Sequence, residues 1–162
     1  MEKFFYKLSS KSTQSDMLRS LIKTAPDSMY RLNHNLFYLI EVSKQLFSDE
    51  PIYDLINRFD GKINIFKTNP MNFYTWHVDE ERTCSINMIL ENTNSHCLFG
   101  TNIDIANKSI VELNHEYDTY FLCNLREEHC ILNFAGTRYL LSIGFYHNSY
   151  NEILEYCKLN NL

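Results

Sequence analysis

Beyond Asp60-Gly61 the chain breaks into short runs rich in β-branched and aromatic residues: "KINIFK", "FYTWHVD", "TCSINMIL", "HCLFG", "SIVEL", "TYFLCN", "HCILNF" and "RYLLSIGF". Polar, turn-forming residues separate them, as expected of strands rather than helices. Roughly eight strands of this length point to two sheets closed into a roll or barrel, with helices packed on an outer sheet face. Upstream, "KFFYKL" reads as a short opening strand. "SDMLRSLIKTA" has helical spacing, with Ser15 or Asp16 placed to cap it. From Leu36 to Phe59 the residues Leu36, Phe37, Ile40, Leu46 and Phe47 follow the same period, and Pro51 sits where a new first turn tolerates it. The expectation is mainly β with α: one domain over 1–162, a helical front at about 15–60, a β core at about 62–146, and a closing helix in "HNSYNEILEYCKL".

Composition narrows the class. Hydrophobic residues make up 44% and aromatics 14% of the 162 residues, which argues against disorder. A formal charge of -5 leaves no basic footprint for nucleic acid or an anionic membrane surface. No apolar run approaches the roughly 18 residues of a spanning helix. The start "MEKFFYKLSSKST" has no signal-peptide core. The five cysteines are odd in number and lack CxxC spacing, so they read as buried free thiols in a reducing compartment. A cytoplasmic globule is the expectation.

The strand patterns carry the chemistry. In "TCSINMIL" one face holds Cys84, Ile86, Met88 and Leu90, and the other Thr83, Ser85, Asn87 and Ile89. The second face either meets water or lines a pocket. In "YTWHVD", period-two alternation sends His77 and Asp79 off one face, where both could reach one ion. Imidazole and carboxylate suit Fe(II), Mn(II) or Zn(II), although a hydrogen-bonded core pair is the simpler explanation of an isolated HxD. Trp76 points to the opposite face and reads as core, while Arg82 could reach the mouth of a site.

A third ligand decides between those readings. His34, His96, His115 and His147 lie in contexts that suggest surface or capping roles. His129 opens a strand, followed by a turn at Ala135-Gly136 and the strand beginning at Arg138. As a hairpin with a two-residue turn, His129 would face Ser142 and Asn133 would face Arg138. His129, Ile131, Asn133, Arg138, Leu140 and Ser142 would then share a face. Arg138 would sit about 13 Å from the histidine's rung, at roughly 3.3 Å per residue. That spacing suits a small dicarboxylate between a metal and an arginine, which can grip a carboxylate bidentately.

With these residues, the stretch from about Lys62 to Tyr146 resembles the Fe(II)- and 2-oxoglutarate-dependent oxygenases, nearer their prolyl-4-hydroxylase-like branch. The matching pieces are "KINIFK", "WHVD", "CSINMILEN" and "TYFLCNLREEHCILNFAGTRYLLSIGF". The resemblance implies a double-stranded β-helix (jelly roll) core, with His77, Asp79 and His129 as catalytic metal ligands for Fe(II). It implies Arg138 as the partner of the distal carboxylate of 2-oxoglutarate, with Tyr74, Asn87 and Ser142 as further hydrogen-bonding candidates. It also implies O2 as co-substrate, release of succinate and CO2, and hydroxylation of a substrate such as a prolyl or other residue of a peptide or protein. The chain departs from animal-type prolyl hydroxylases in carrying Arg138 where they have Lys, and in the short "HCLFGTN" where a glycine-rich strand is common. Two other readings remain. A nucleic-acid dealkylase of the same superfamily would be expected to carry more positive charge. A non-catalytic, cupin-like binding or assembly module would keep His77, Asp79 and His129 apart.

Overall fold

The computed structural model describes residues 2–33, 37–91, 94–101 and 109–162. The elements in chain order are β1 (Phe5–Lys11), α1 (Ser15–Thr24), β2 (Arg31–Asn33), β3 (Phe37–Glu41), α2 (Tyr53–Arg58), β4 (Lys62–Thr68), β5 (Asn72–His77), β6 (Cys84–Glu91), β7 (Asn94–Gly100), β8 (Ile110–Glu112), β9 (Thr119–Asn124), β10 (His129–Ala135), β11 (Arg138–Phe145) and α3 (Tyr150–Leu159). Each of the β-branched runs read from the sequence forms a strand. His34 and Leu36, and Asn102 at the end of "HCLFGTN", lie outside the described residues.

The strands pair antiparallel in two sheets. The larger has seven strands in the order β1-β9-β6-β11-β4-β3-β2, and the smaller four in the order β5-β10-β7-β8. Consecutive strands alternate between sheets along most of the core, which is the wiring of a jelly-roll double-stranded β-helix. Alternation of side chains gives the larger sheet two different faces. Cys84, Ile86, Met88 and Leu90 of β6 and Leu141, Ile143 and Phe145 of β11 form one apolar cluster with Leu18 and Ile22 of α1, Leu55 and Ile56 of α2, and Ile153 and Cys157 of α3. The helices therefore cover the outer face, as expected from the sequence. On the inner face a smaller cluster of Phe4, Cys97, Phe99, Leu113, Phe121, Cys123 and Leu125 closes part of the gap between sheets. All five cysteines are buried and free. Among the described residues, no helix is long and apolar enough to cross a membrane.

Three expectations need correction. The helix read from Leu36 to Phe59 is, over the described residues, strand β3, a 3-10 turn at Lys44–Phe47 and the single short helix α2. Apolar residues at 37, 39 and 40 fit either period, and pairing of β3 with the edge of β4 decides for strand. Ser15 and Asp16 do not cap α1. The distant Glu50 accepts from the backbone N–H groups of Thr13 and Gln14 at 3.0 and 2.7 Å, which no local motif announces. Finally, β10 and β11 are not a hairpin. β10 lies between β5 and β7, and β11 lies between β4 and β6. Gly136, at φ 70°, supplies the left-handed turn that carries the chain from one sheet to the other. His129 thus pairs with His77 and Phe99, and Ser142 with Asn64 and Asn87.

Helix α3 has a reciprocal cap: Ser149 accepts from the Glu152 N–H, and Glu152 accepts from the Ser149 N–H. Ser149→Ala should cost about 1 kcal/mol. Ile143→Ala, which empties a fully buried position under the helices, should cost about 2–5 kcal/mol. Urea unfolding midpoints at constant m-value measure both.

Candidate metal centre and its cavity

His77 is the last residue of β5 and His129 the first of β10, and the two are direct partners across the small sheet. Their rings lie 4.2 Å apart between centroids. Asp79 sits two residues beyond His77, past the end of the strand, so strand alternation does not by itself aim it. The turn between β9 and β10 aims it instead. The Asp79 N–H donates to Leu125 O at 3.0 Å, and Arg126 donates to the carbonyls of Asp79 and Glu80 at 2.8 and 3.1 Å.

The ligand atoms of His77, Asp79 and His129 all lie within 4.8 Å of one another. Asp79 Oδ1 is 3.4 Å from His77 Nε2 and 3.8 Å from His129 Nε2. Bonds of about 2.1 Å at right angles would place such atoms about 3 Å apart, so a small inward shift accommodates an ion. The other ring nitrogens fix the tautomers. His77 Nδ1 lies 2.7 Å from Thr75 O and His129 Nδ1 2.9 Å from Glu127 O. A carbonyl can only accept, so each Nδ1 carries the hydrogen and each Nε2 presents its lone pair. Two imidazoles and one carboxylate on one side of an ion form the set associated with non-haem Fe(II) oxygenases. The three side chains converge, which the reading as a non-catalytic roll did not expect.

The charge states agree with metal binding. Burial pushes the Asp79 carboxyl up, but the neighbouring His77, Arg82 and His129 outweigh that and hold it below the usual range. Arg82 holds Asp79 Oδ2 through Nε at 2.8 Å and Nη2 at 2.6 Å, leaving Oδ1 to face the histidines. The Arg82 stem rests against Gly144, where a Cβ would stand 3.0 Å from Arg82 Cδ. Burial lowers the His129 imidazole to about 4, despite its hydrogen bond to Glu127 O.

Behind this cluster lies a cavity with about 610 Å³ of empty space including its mouth. Tyr74, Asn87, Ser142 and Arg138 all line it, with His77 and His129 at one end. Of the six residues expected to share a face, His129, Ile131, Arg138, Leu140 and Ser142 do reach the cavity. Each strand's own alternation aims them inward, whichever sheet it joins. Asn133 turns aside and donates to the carbonyls of Thr68, Asn69 and Gly136, bracing the turn. Strand β6 lines the cavity through Ser85 and Asn87, so its polar face is a pocket wall and not a wet surface. Trp76 is half-buried, less enclosed than the core position expected of it.

Arg138 is 3% exposed. Burial lowers the pKa of its guanidinium, yet an arginine stays charged. No carboxylate of the described residues forms an ion pair with it. The thiols near it cannot serve: burial pushes Cys97 up to about 12 and Cys123 well above the ordinary thiol range, so both remain neutral. Four cavity-lining polar atoms, Thr68 Oγ1, Ser85 Oγ, Asn87 Oδ1 and His115 Nδ1, are buried without a hydrogen-bond partner among the described residues. A buried cation and polar atoms that lack partners among the described residues make the cavity suited to a polar anion. Sequence reasoning missed Arg126 and His115. Both lie in segments between strands, where no periodic signal marks an inward side chain.

A second, wider cleft opens on the other side of the triad. Tyr74, His77, Arg82, Phe37 and Phe66 line both spaces, and Arg31, Asn33, Glu80, Glu81 and Tyr146 line the outer one.

No protein-family model and no curated protein matches the sequence. Solved structures do match in fold. An oxidoreductase of the 2OG-Fe(II) oxygenase family from Burkholderia pseudomallei aligns with a TM-score of 0.65 at 12% identity, over 91% of this chain and 86% of that one. A prolyl-4-hydroxylase from Pseudomonas putida aligns with a TM-score of 0.65 at 11% identity, over 90% and 93%. A Trichoplax adhaerens prolyl hydroxylase in complex with a hypoxia inducible factor peptide fragment aligns with a TM-score of 0.65 at 14% identity, over 88% and 83%. The fold is thus the double-stranded β-helix of the 2-oxoglutarate oxygenases, in its prolyl-4-hydroxylase-like form.

Two measurements follow. His77→Ala, Asp79→Ala and His129→Ala should each sharply reduce Fe(II) or Mn(II) binding by calorimetry while leaving the circular dichroism spectrum unchanged; normal stoichiometry in one variant would remove that residue from the cluster. Metal-free protein should also lose stability as pH falls from 6.5 to 4. Over that window an unfolded chain's imidazole takes up a proton that folded His129 refuses, so the unfolded state binds more protons. The contribution of His129 is on the order of 3 kcal/mol, complete above pH 6.5 and lost near pH 4. His129→Gln should reduce the loss of unfolding free energy across that window and leave the part due to His115, whose imidazole burial pushes down to about 3.

Proposed function

We propose that this protein is an Fe(II)- and 2-oxoglutarate-dependent hydroxylase. One observation carries the reading: His77 and His129 of a two-histidine, one-carboxylate cluster line the same cavity as a buried arginine that has no ion-pair partner among the described residues. His77, Asp79 and His129 would hold the iron through Nε2, Oδ1 and Nε2. Arg138 would grip the distal carboxylate of 2-oxoglutarate. Tyr74, Asn87 and Ser142 are the hydrogen-bonding and packing groups along its length, and the Tyr74 ring packs against His77 with centroids 3.7 Å apart and planes tilted by 39°. When bound, iron supplies the redox chemistry by which O2 oxidatively decarboxylates 2-oxoglutarate to succinate and CO2 while a substrate C–H is hydroxylated.

The chain's own residues do the remainder. Arg82 keeps Asp79 ionised and directs one of its oxygens toward the metal. Phe66, Phe99, Leu125 and Ile131 keep water from the cavity, which strengthens every charge interaction inside it. Asp79 occupies the position that a halide-transferring relative would need vacant, which favours hydroxylation. The outer cleft, with aromatic, amide and charged groups at its walls, suits an extended peptide whose prolyl or other residue reaches the iron.

The test is an anaerobic titration of the Fe(II) protein with 2-oxoglutarate, followed by the visible charge-transfer band of a chelated 2-oxo acid. Arg138→Gln should leave iron affinity unchanged and weaken 2-oxoglutarate by about 2–4 kcal/mol, on the order of 30- to 1000-fold. Arg138→Lys should lose less. Pyruvate, with no distal carboxylate, should bind equally weakly to all three proteins. Equal loss of both acids in Arg138→Gln would mean that Arg138 shapes the site generally. Iron-loaded protein that stays colourless with 2-oxoglutarate would turn the reading toward a binding module.

A further inference from the structure

The segment between β8 and β9 brings a second nitrogen donor to the Arg138 end of the cavity. Leu113 N–H donates to Cys97 O at 2.8 Å, which fixes the segment alongside β7. Cys97 pairs with Ile131, and Ser95 with Asn133, so β7 and β10 run together away from the metal. Two residues past Leu113 stands His115. Its ring packs edge-on against Phe121, with centroids 5.6 Å apart at 86°. It lines the same cavity as Arg138, and its Nδ1 is buried with no hydrogen-bond partner among the described residues.

We infer that His115 is a positioning residue of the co-substrate site: its Nδ1–H and the Arg138 guanidinium together hold the distal carboxylate of the 2-oxo dicarboxylic acid. This rests on reading the cavity as a 2-oxoglutarate site. An unpartnered imidazole nitrogen is costly to bury, and an entering carboxylate would satisfy it together with the unpaired arginine. A carboxylate has two oxygens, so one cation and one neutral N–H can bind it without competing. Burial and the Arg138 charge push the empty His115 imidazole down to about 3, so it waits as a neutral donor and adds no second repelling charge. Thr68 Oγ1, also unpartnered, lies on β4 directly opposite Arg138 and closes the same end. The sense of the proposal is selectivity: a two-donor grip distinguishes a 2-oxo dicarboxylate from a monocarboxylate more sharply than an arginine alone.

The experiment uses Zn(II)-loaded protein, which binds the acid without turnover, and calorimetry with 2-oxoglutarate and pyruvate. His115→Phe keeps the ring against Phe121 and removes the donor. It should weaken 2-oxoglutarate roughly 10- to 100-fold, the range of a hydrogen bond to a charged group, and leave pyruvate unchanged. His115→Asn, which keeps a donor, should recover part of that loss. In the unsubstituted protein, the His115 Nδ1 resonance in a histidine-labelled nitrogen-15 spectrum should move on adding 2-oxoglutarate and stay still with pyruvate. This arm does not depend on a variant folding. Affinity of His115→Phe within twofold of the parent, equal loss of both acids, or a resonance indifferent to 2-oxoglutarate would each overturn the inference. Failure of the underlying reading looks different: the unsubstituted protein would then bind 2-oxoglutarate no better than pyruvate.

Discussion

Strand β11 is the constraint on which both halves of the molecule depend. Paired on both edges, with β4 and with β6, it has no freedom to slip without turning every side chain to the wrong face. Leu141, Ile143 and Phe145 go out to the helices, while Arg138, Leu140 and Ser142 go in to the cavity. Each outward side chain contributes roughly 1.5–3 kcal/mol by leaving water. That gain offsets the burial of a guanidinium at the strand's first position. The apolar face thus holds the charged face in register.

Support for the metal cluster runs through residues that are not ligands. Gly144 leaves room on β11 for the Arg82 stem, Arg82 takes one Asp79 oxygen, and the other oxygen faces the histidines. From the opposite side, Leu125 and Arg126 fix the backbone of Asp79. A carboxylate in a turn, free of any ladder, is in this way held about as firmly as a strand residue. Backbone carbonyls two residues before each histidine complete the arrangement by setting the tautomer.

The cluster also divides space. On one side the cavity is narrow, walled by both sheets and short of hydrogen-bond partners. On the other the cleft is wide and carries exposed acidic residues at Glu80 and Glu81. Arg82, Tyr74 and Phe66 form the partition, and Arg82 lies 5.7 Å over the Phe66 ring. A small anion and a larger molecule could therefore approach an ion held there from different directions, as the proposed reaction would need.

Much of this was legible in the chain itself. Period-two runs are local, so the strands from Lys62 to Phe145, the polar face of β6 and the shared face of Arg138 and Ser142 could be read without knowing any partner; whether the β6 face met water or a pocket could not. HxD with a distant histidine named the three side chains that converge, and the later arginine the one that lines the cavity with them. Pairing was another matter. The sequence around Gly136 fits a hairpin as well as a crossing between sheets, and only the competition of β4, β5, β6 and β7 for strand edges resolved it. The same holds for β3, whose apolar residues suit a helix until β4 offers an edge. The aim of Asp79 and the roles of Glu50, Arg126 and His115 depend on contacts across the fold, between residues far apart in sequence; HxD names Asp79 but not what holds it, and no local pattern records the other three. Sequence alone determined which face each strand side chain would take, because that depends only on backbone alternation. The tertiary structure decided which faces meet around the cavity, because that depends on which strands win the available hydrogen-bonding edges.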